Sequence, residues 1–241
     1  MATNEPDAKQ ANANQELFDA TMRETRETLA EWGEEPSRII GKWALLSFVI
    51  ASAMLVGVYV VSTIATPQFT TAIPNILGEP HLRDVVRVFF RNMLVLALHA
   101  FVCVAGFMAM RALPEQVKYK SGIDRWVHEH ASPFAMVFVS AATAFSIVTQ
   151  IWILGHGVAD IAYTLRLSNW ELMLTVLPHA LLELTAVFLP LAAFLLASRS
   201  HDWHKLLAAT IVTVSVAVPT IIVAAFMEAY LWPVTLQNLL F

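Results

Sequence analysis

The stretch LPHALLELTAVFLP at 177–190 sets His179 and Glu183 one helical turn apart inside an apolar run, bracketed by Pro178 and Pro190. An imidazole and a carboxyl at that spacing can pass a proton between them, or offer one nitrogen and one oxygen ligand to a cation. Asn92, His99, Gln150, His156 and Glu228 lie in or at the edge of comparable apolar runs. At mid-membrane an ionisable side chain costs ~2.5–3.5 kcal/mol on insertion scales unless it faces protein or water. Whatever carries these residues must therefore turn them away from lipid.

The carriers are long apolar segments. Of the 241 residues 57% are apolar and only 14% charged, against about 25% charged in ordinary soluble domains. A membrane crossing needs about 20 apolar residues. Five stretches meet that length, at 43–65, 90–112, 133–155, 171–198 and 206–231. They lack the alternation of barrel strands, so the expected fold is all-α, a polytopic bundle of five transmembrane helices. A net charge of −4 gives no reason to expect nucleic acid as a partner. The lipid bilayer is the first expected partner, with other membrane or cytosolic proteins, or a second copy of the chain, after it. Cys103 is the single cysteine, which excludes a disulfide framework and a thiolate metal cluster and suggests a small packing residue. The first 20 residues lack the basic-then-apolar pattern of a cleaved signal peptide, so the first span is expected to persist in the mature chain.

Basic residues set the expected orientation. With the N-terminus inside, eleven of the 15 lysines and arginines fall inside and four outside, namely Arg83, Arg87, Arg91 and Arg166. This predicts a cell-membrane protein with a cytoplasmic N-terminus and an external C-terminus. Arg83, Arg87 and Arg91 recur every fourth residue, on one face of the helix entering the second span, either at the outer interface or neutralising carboxylates there. Residues 1–36 form a cytosolic tail and 37–241 the membrane domain. In the tail, Phe18, Met22, Thr25, Leu29 and Trp32 share one face of an amphipathic helix ended near Gly33 and Pro36. Such a helix packs beneath the bundle, lies on the inner leaflet or docks a partner. The outer loop 66–84 holds three prolines and one glycine, which predicts a compact irregular segment. Trp126, Trp170, Trp203 and Trp232 stand near the predicted boundaries, as interfacial anchors do.

Helical stepping gathers the polar residues onto seams. Thr175, His179, Glu183, Ala186, Pro190, Ala193 and Ala197 share one face of the fourth span, and every one is polar or small. Thr213, Ala217, Thr220, Ala224 and Glu228 do so in the fifth, and Asn92, Leu96, His99, Cys103 and Gly106 in the second. Small residues let helices approach closely. At about 1.5 Å per residue, Asn92 and Glu228 fall near the outer boundary, His179 somewhat below, and His99 and Glu183 near the middle. Gln150 and His156 fall in the outer half, so one polar cluster is expected there. Glu183 in such a cluster needs a proton or a hydrogen-bonding partner. Pro178 removes a backbone donor and frees the Leu174 carbonyl, which predicts a kink beside His179.

VLPHALLELTAVFLPLAAFLLA resembles the signature of the stage II sporulation protein M family of integral membrane proteins, a His–x3–Glu pattern followed by small residues in the penultimate helix. AAFMEAYLWP is similar to that family's closing motif, and FFRNMLVLALHAFVCVAG to its earlier Asn-containing helix. The resemblance covers residues 12–236 and carries the motif positions onto Asn92, His179, Glu183 and Glu228. Ala180 stands where the family usually has Gly, and alanines replace its Gly-rich packing after the motif Glu. The resemblance implies a membrane-complex component of cell-envelope processes. It does not imply sporulation, since most relatives occur in organisms that make no spores.

Three function classes stay open on the sequence. The polar residues fix helix packing in a non-enzymatic scaffold, or bind a cation or proton in a transporter or channel component. Alternatively they hold zinc in an intramembrane hydrolase, where a metal would use His179, Glu183, Glu228 and His99. No cofactor is required by the first two. HExxH, Gly-x-Ser-x-Gly and phosphate-loop motifs are absent. His128, His130, His201 and His204 read as solvated loop residues.

Overall fold

The computed structural model of the chain describes residues 5–71, 78–112 and 122–241. The centre of the proline-rich loop and the side chains of Lys9, Arg111, Lys118, Lys120, Arg125, Trp126, His128 and His130 lie outside what is described. The helices are α1 (Glu5–Glu34), α2 (Pro36–Ile64), α3 (Leu82–Phe107), α4 (Gly122–Leu165), α5 (Asn169–Val187), α6 (Leu189–Ser200), α7 (Leu206–Phe226) and α8 (Trp232–Leu240). Wide π-turns at Met108–Ala112 and Met227–Leu231 extend α3 and α7, and a tight 3-10 turn at Trp203–Lys205 precedes α7.

Among the described residues five stretches are long and apolar enough to cross a membrane: Pro36–Ile64, Leu82–Met110, Met136–Leu165, Asn169–Val187 and Trp203–Leu240. Their outward faces carry Leu45 and Val56 on α2, Leu94 and Phe101 on α3, and Phe145 and Val148 on α4, all exposed. So wide an apolar surface is what lipid covers and water does not tolerate. The chain is a polytopic membrane protein, an all-helical bundle. The first two spans begin earlier than hydropathy predicts, and the last runs on to Leu240. Charges such as Arg38, Lys42, Arg83 and Arg87 end an apolar window without ending a helix, because helix continuity depends on backbone bonds.

The α5–α6 segment sits innermost. α2 packs against α4, α5 and α6, while α7 packs against α3, α5 and α6. Ser168 caps α5 through a reciprocal box, its Oγ accepting from the Glu171 amide at 3.2 Å while Glu171 accepts from the Ser168 amide at 2.8 Å. The Asn169 amide side chain donates to the Ser62 carbonyl at 2.8 Å and ties the start of α5 to the end of α2.

The predicted single span 171–198 is broken at Phe188. Pro178 sits within a continuous α5, and the helical run is interrupted before Pro190. The Pro190 ring can neither donate to nor pack over the carbonyl four residues back, and it sits at the start of α6, where no such donor is needed. The Cys103 thiol donates to the Pro190 carbonyl at 3.1 Å. Ser47 donates to the Thr185 carbonyl from α2. Both acceptors lie at the break, where the regular ladder is interrupted.

Part of the predicted α1 face is packed. Thr25 of that face is buried against the bundle, as is Thr28 beside it, and Trp32 meets Trp43 edge-on at 5.2 Å, whereas Phe18 and Met22 stay exposed. Thr25 and Thr28 each donate back to their own helix, to the Thr21 and Glu24 carbonyls at 2.8 Å, so neither brings an unsatisfied hydroxyl into the contact.

The α2–α4 crossing is close. A Cβ at Gly155 would stand 2.5 Å from Val61 Cβ and 3.0 Å from the Val58 carbonyl, while one at Gly157 meets nothing within 4 Å. Gly155→Ala is expected to lower stability by ~1–3 kcal/mol through overpacking. Gly157→Ala on the same helix should be neutral or gain up to about 1 kcal/mol of propensity. Thermal unfolding of the two variants in detergent compares them directly, and equal midpoints would refute the crossing.

Candidate functional site

At the end of the bundle away from α1, three elements converge. α3 brings Arg91 and Asn92, α5 brings Thr175, His179 and Glu183, and the π-turn after α7 brings Glu228. The π-turn has a local cause. Pro233 follows it at the start of α8 and cannot accept a regular α-helical position without losing a bond and crowding the carbonyl of Ala229. Widening the turn over Met227–Leu231 accommodates the proline and re-aims Glu228.

Arg91 Nη2 reaches both Glu228 oxygens, at 3.4 and 3.3 Å. The Arg91 side chain is 61% exposed and that of Glu228 18%, so the cation stays at the surface of the bundle while the anion is drawn into it. Glu183 is half-buried and lies within hydrogen-bonding reach of Glu228. Two carboxyls in contact repel unless a proton or a cation stands between or beside them. Arg91 supplies one positive charge within electrostatic reach of both Glu183 and His179.

Asn92 is buried and faces Glu183, yet its Nδ2 completes no hydrogen bond. His179 is buried as well, its ring centroid 5.8 Å from that of Trp232. Trp232 Nε1 donates to Thr175 Oγ1 at 3.0 Å, and Thr175 donates to the Leu172 carbonyl at 2.8 Å. Trp232 is thus turned onto the bundle. Its four-residue step from Glu228 was the sequence signal for this. A groove of about 230 Å³, lined in part by Glu79, Asp84, Arg87, Arg91, Glu228 and Trp232, borders the cluster.

His99, Gln150 and His156 make their bonds elsewhere. His99 lies seven residues beyond Asn92, about 10 Å of helix rise. It is fully buried, its Nδ1 donates to the Val95 carbonyl at 2.9 Å, and its ring meets Phe188 edge-on at 5.0 Å. Its Nε2 has no partner. Gln150 donates to Ser146 at 3.1 Å, and His156 bonds the Trp152 carbonyl at 2.9 Å, both within α4. Glu183 therefore sits level with Asn92 and Glu228, not with His99. Among the described residues no three His, Cys, Asp or Glu side chains are arranged to hold a metal ion. No protein-family model, curated protein or solved structure matches the chain.

The two ion pairs on the α3 face provide an internal control. Arg87 meets Asp84 at 3.7 Å, one turn away on its own helix, and is 67% exposed. Such a pair is worth ~0–1 kcal/mol. Arg91→Ala leaves two contacting carboxyls without their cation, so it is expected to cost more, ~1–3 kcal/mol. The excess should shrink in a Glu228→Gln background, as a double-mutant cycle of thermal unfolding reads. Equal costs for Arg87→Ala and Arg91→Ala would count against the cross-helix role.

Proposed function

We propose that the chain is a non-enzymatic component of a membrane complex, similar in kind to the stage II sporulation protein M family, and acts as a scaffold in cell-envelope processes. The observation that carries the reading is the Arg91–Glu228–Glu183 contact across three elements. It favours fixed helix packing, because each charged group is engaged by another and none stands alone as a nucleophile or general base. The motif positions Asn92, His179, Glu183 and Glu228 are the ones the family resemblance singles out. In this reading the N-terminus is cytoplasmic and the C-terminus external, with Arg91 and Glu228 at the outer end.

A second reading is favoured by one specific observation. Glu183 and Glu228 are in contact, and Glu228 lines a groove at the end of the bundle. A transporter or channel component would use that pair to take up a proton or monovalent cation. Glu183→Gln keeps the shape and most hydrogen bonding, while Glu183→Leu removes the polar contact from Asn92 and Glu228.

The scaffold reading expects Gln to support complementation of a deletion strain and Leu to lower stability by ~1–3 kcal/mol. The proton or cation reading expects Gln to abolish complementation while the protein still folds. Wild-type behaviour of the Leu variant would remove both. The orientation is checked separately with a C-terminal reporter active only in the cytoplasm, which should stay silent.

A further inference from the structure

At the α1 end of the bundle, a pocket of about 640 Å³ lies between the end of α1, the start of α2, the last turns of α6 and the start of α7. That volume falls within the range of about 300–1,000 Å³ typical of small-ligand pockets. Its floor is apolar and made largely of small residues, with Ala193, Ala197 and Leu196 from α6 and Ala209 from α7. Trp32 and Trp43, edge to face at 5.2 Å, form an aromatic wall. Its rim is charged with both signs.

The charges can be sorted by what already engages them. Arg38 is paired with Glu35 at 3.2 Å. Lys42 and Lys205 remain on the basic side, and Glu31, Glu34 and Asp202 on the acidic side, with no ion pair among the described residues. Two cations and three carboxylates therefore face one concavity without neutralising one another.

The pocket's position limits what can fill it. Lys42 stands in the second turn of the span that starts at Pro36, and Lys205 in the first turn of the one that starts at Trp203. Tryptophan rings and basic side chains at helix ends mark the headgroup level of a bilayer. A ligand that matches that level, with an apolar floor on one side and charges of both signs on the other, has a charged head and an apolar tail.

We propose that this pocket binds the headgroup of a zwitterionic phospholipid bearing a primary ammonium, of the phosphatidylethanolamine class. Lys42 and Lys205 take the phosphate, and Glu31, Glu34 and Asp202 accept hydrogen bonds from the ammonium. The small-residue floor receives the glycerol and the first acyl carbons. An anionic headgroup is disfavoured because carboxylates outnumber the free cations. A quaternary choline group has no N–H to donate to the three carboxylates.

The test uses the full chain, delipidated in detergent and then placed in nanodiscs. These contain phosphatidylcholine alone, or the same lipid with phosphatidylethanolamine or phosphatidylglycerol added. Native mass spectrometry reads the retained lipid, and thermal unfolding reads the stabilisation. The expected result is retention of phosphatidylethanolamine over phosphatidylcholine by roughly tenfold, or about 1.4 kcal/mol. The Lys42→Ala, Lys205→Ala double variant should lose that retention. Glu31→Gln with Glu34→Gln should keep lipid bound and lose the preference between the two headgroups.

Helical circular dichroism equal to wild type separates lost binding from lost fold, and Asp202→Asn serves as the milder single change. Equal retention of all three lipids would overturn the proposal. So would unchanged preference in the folded lysine variant, or full stabilisation by soluble phosphoethanolamine without lipid.

Discussion

The ion pair between Arg91 and Glu228 joins α3 to the π-turn of α7, and the polar end of the bundle depends on it. Glu183 from α5 lies against the same carboxylate. Without a cation beside them, two carboxyls would push α5 and α7 apart where the other contacts draw them together. Arg91 resolves this from the surface of the bundle, with its side chain 61% exposed. Its worth lies between two limits. A fully exposed pair would contribute ~0–1 kcal/mol, and stripping one partner from a fully buried pair costs ~3–5 kcal/mol.

The same constraint, that hydrocarbon satisfies no polar group, shapes the centre of the bundle. The break at Phe188 interrupts the helical ladder deep inside, and neighbouring helices hydrogen-bond to carbonyls on either side of it. Cys103 on α3 donates to the Pro190 carbonyl and Ser47 on α2 to the Thr185 carbonyl. Such contacts require close approach. Gly106 provides it on α3, where a Cβ would stand 2.8 Å from the Phe194 ring. The lone cysteine thus acts as a small hydrogen-bond donor at a broken helix.

Much of this was legible in the sequence for a physical reason. Lipid imposes a length on each span, and the small-and-polar seams of the second, fourth and fifth spans mark the faces that meet. Asn92, Glu183 and Glu228 come together along those seams. The break at Phe188 was not legible, because Pro178 and Pro190 look alike in sequence. Pro178 is held in a continuous α5, whereas Pro190 starts a new helix on the buried Phe188 and Leu189. Depth was the weaker inference. Counting residues from hydropathy boundaries put Glu183 level with His99, because the second span starts at Leu82, eight residues before the predicted edge at 90.

His99 and Asn92 show how differently an unsatisfied nitrogen can sit. His99 Nε2 is enclosed by apolar neighbours such as Phe188, and its ring is already held through Nδ1. Asn92 Nδ2 stands beside Glu183, a group that could accept from it. Glu183 on α5 faces both Asn92 on α3 and Glu228 on the π-turn after α7. The charge and hydrogen-bonding capacity of that one carboxyl therefore bear on how α5 packs against α3 and against α7.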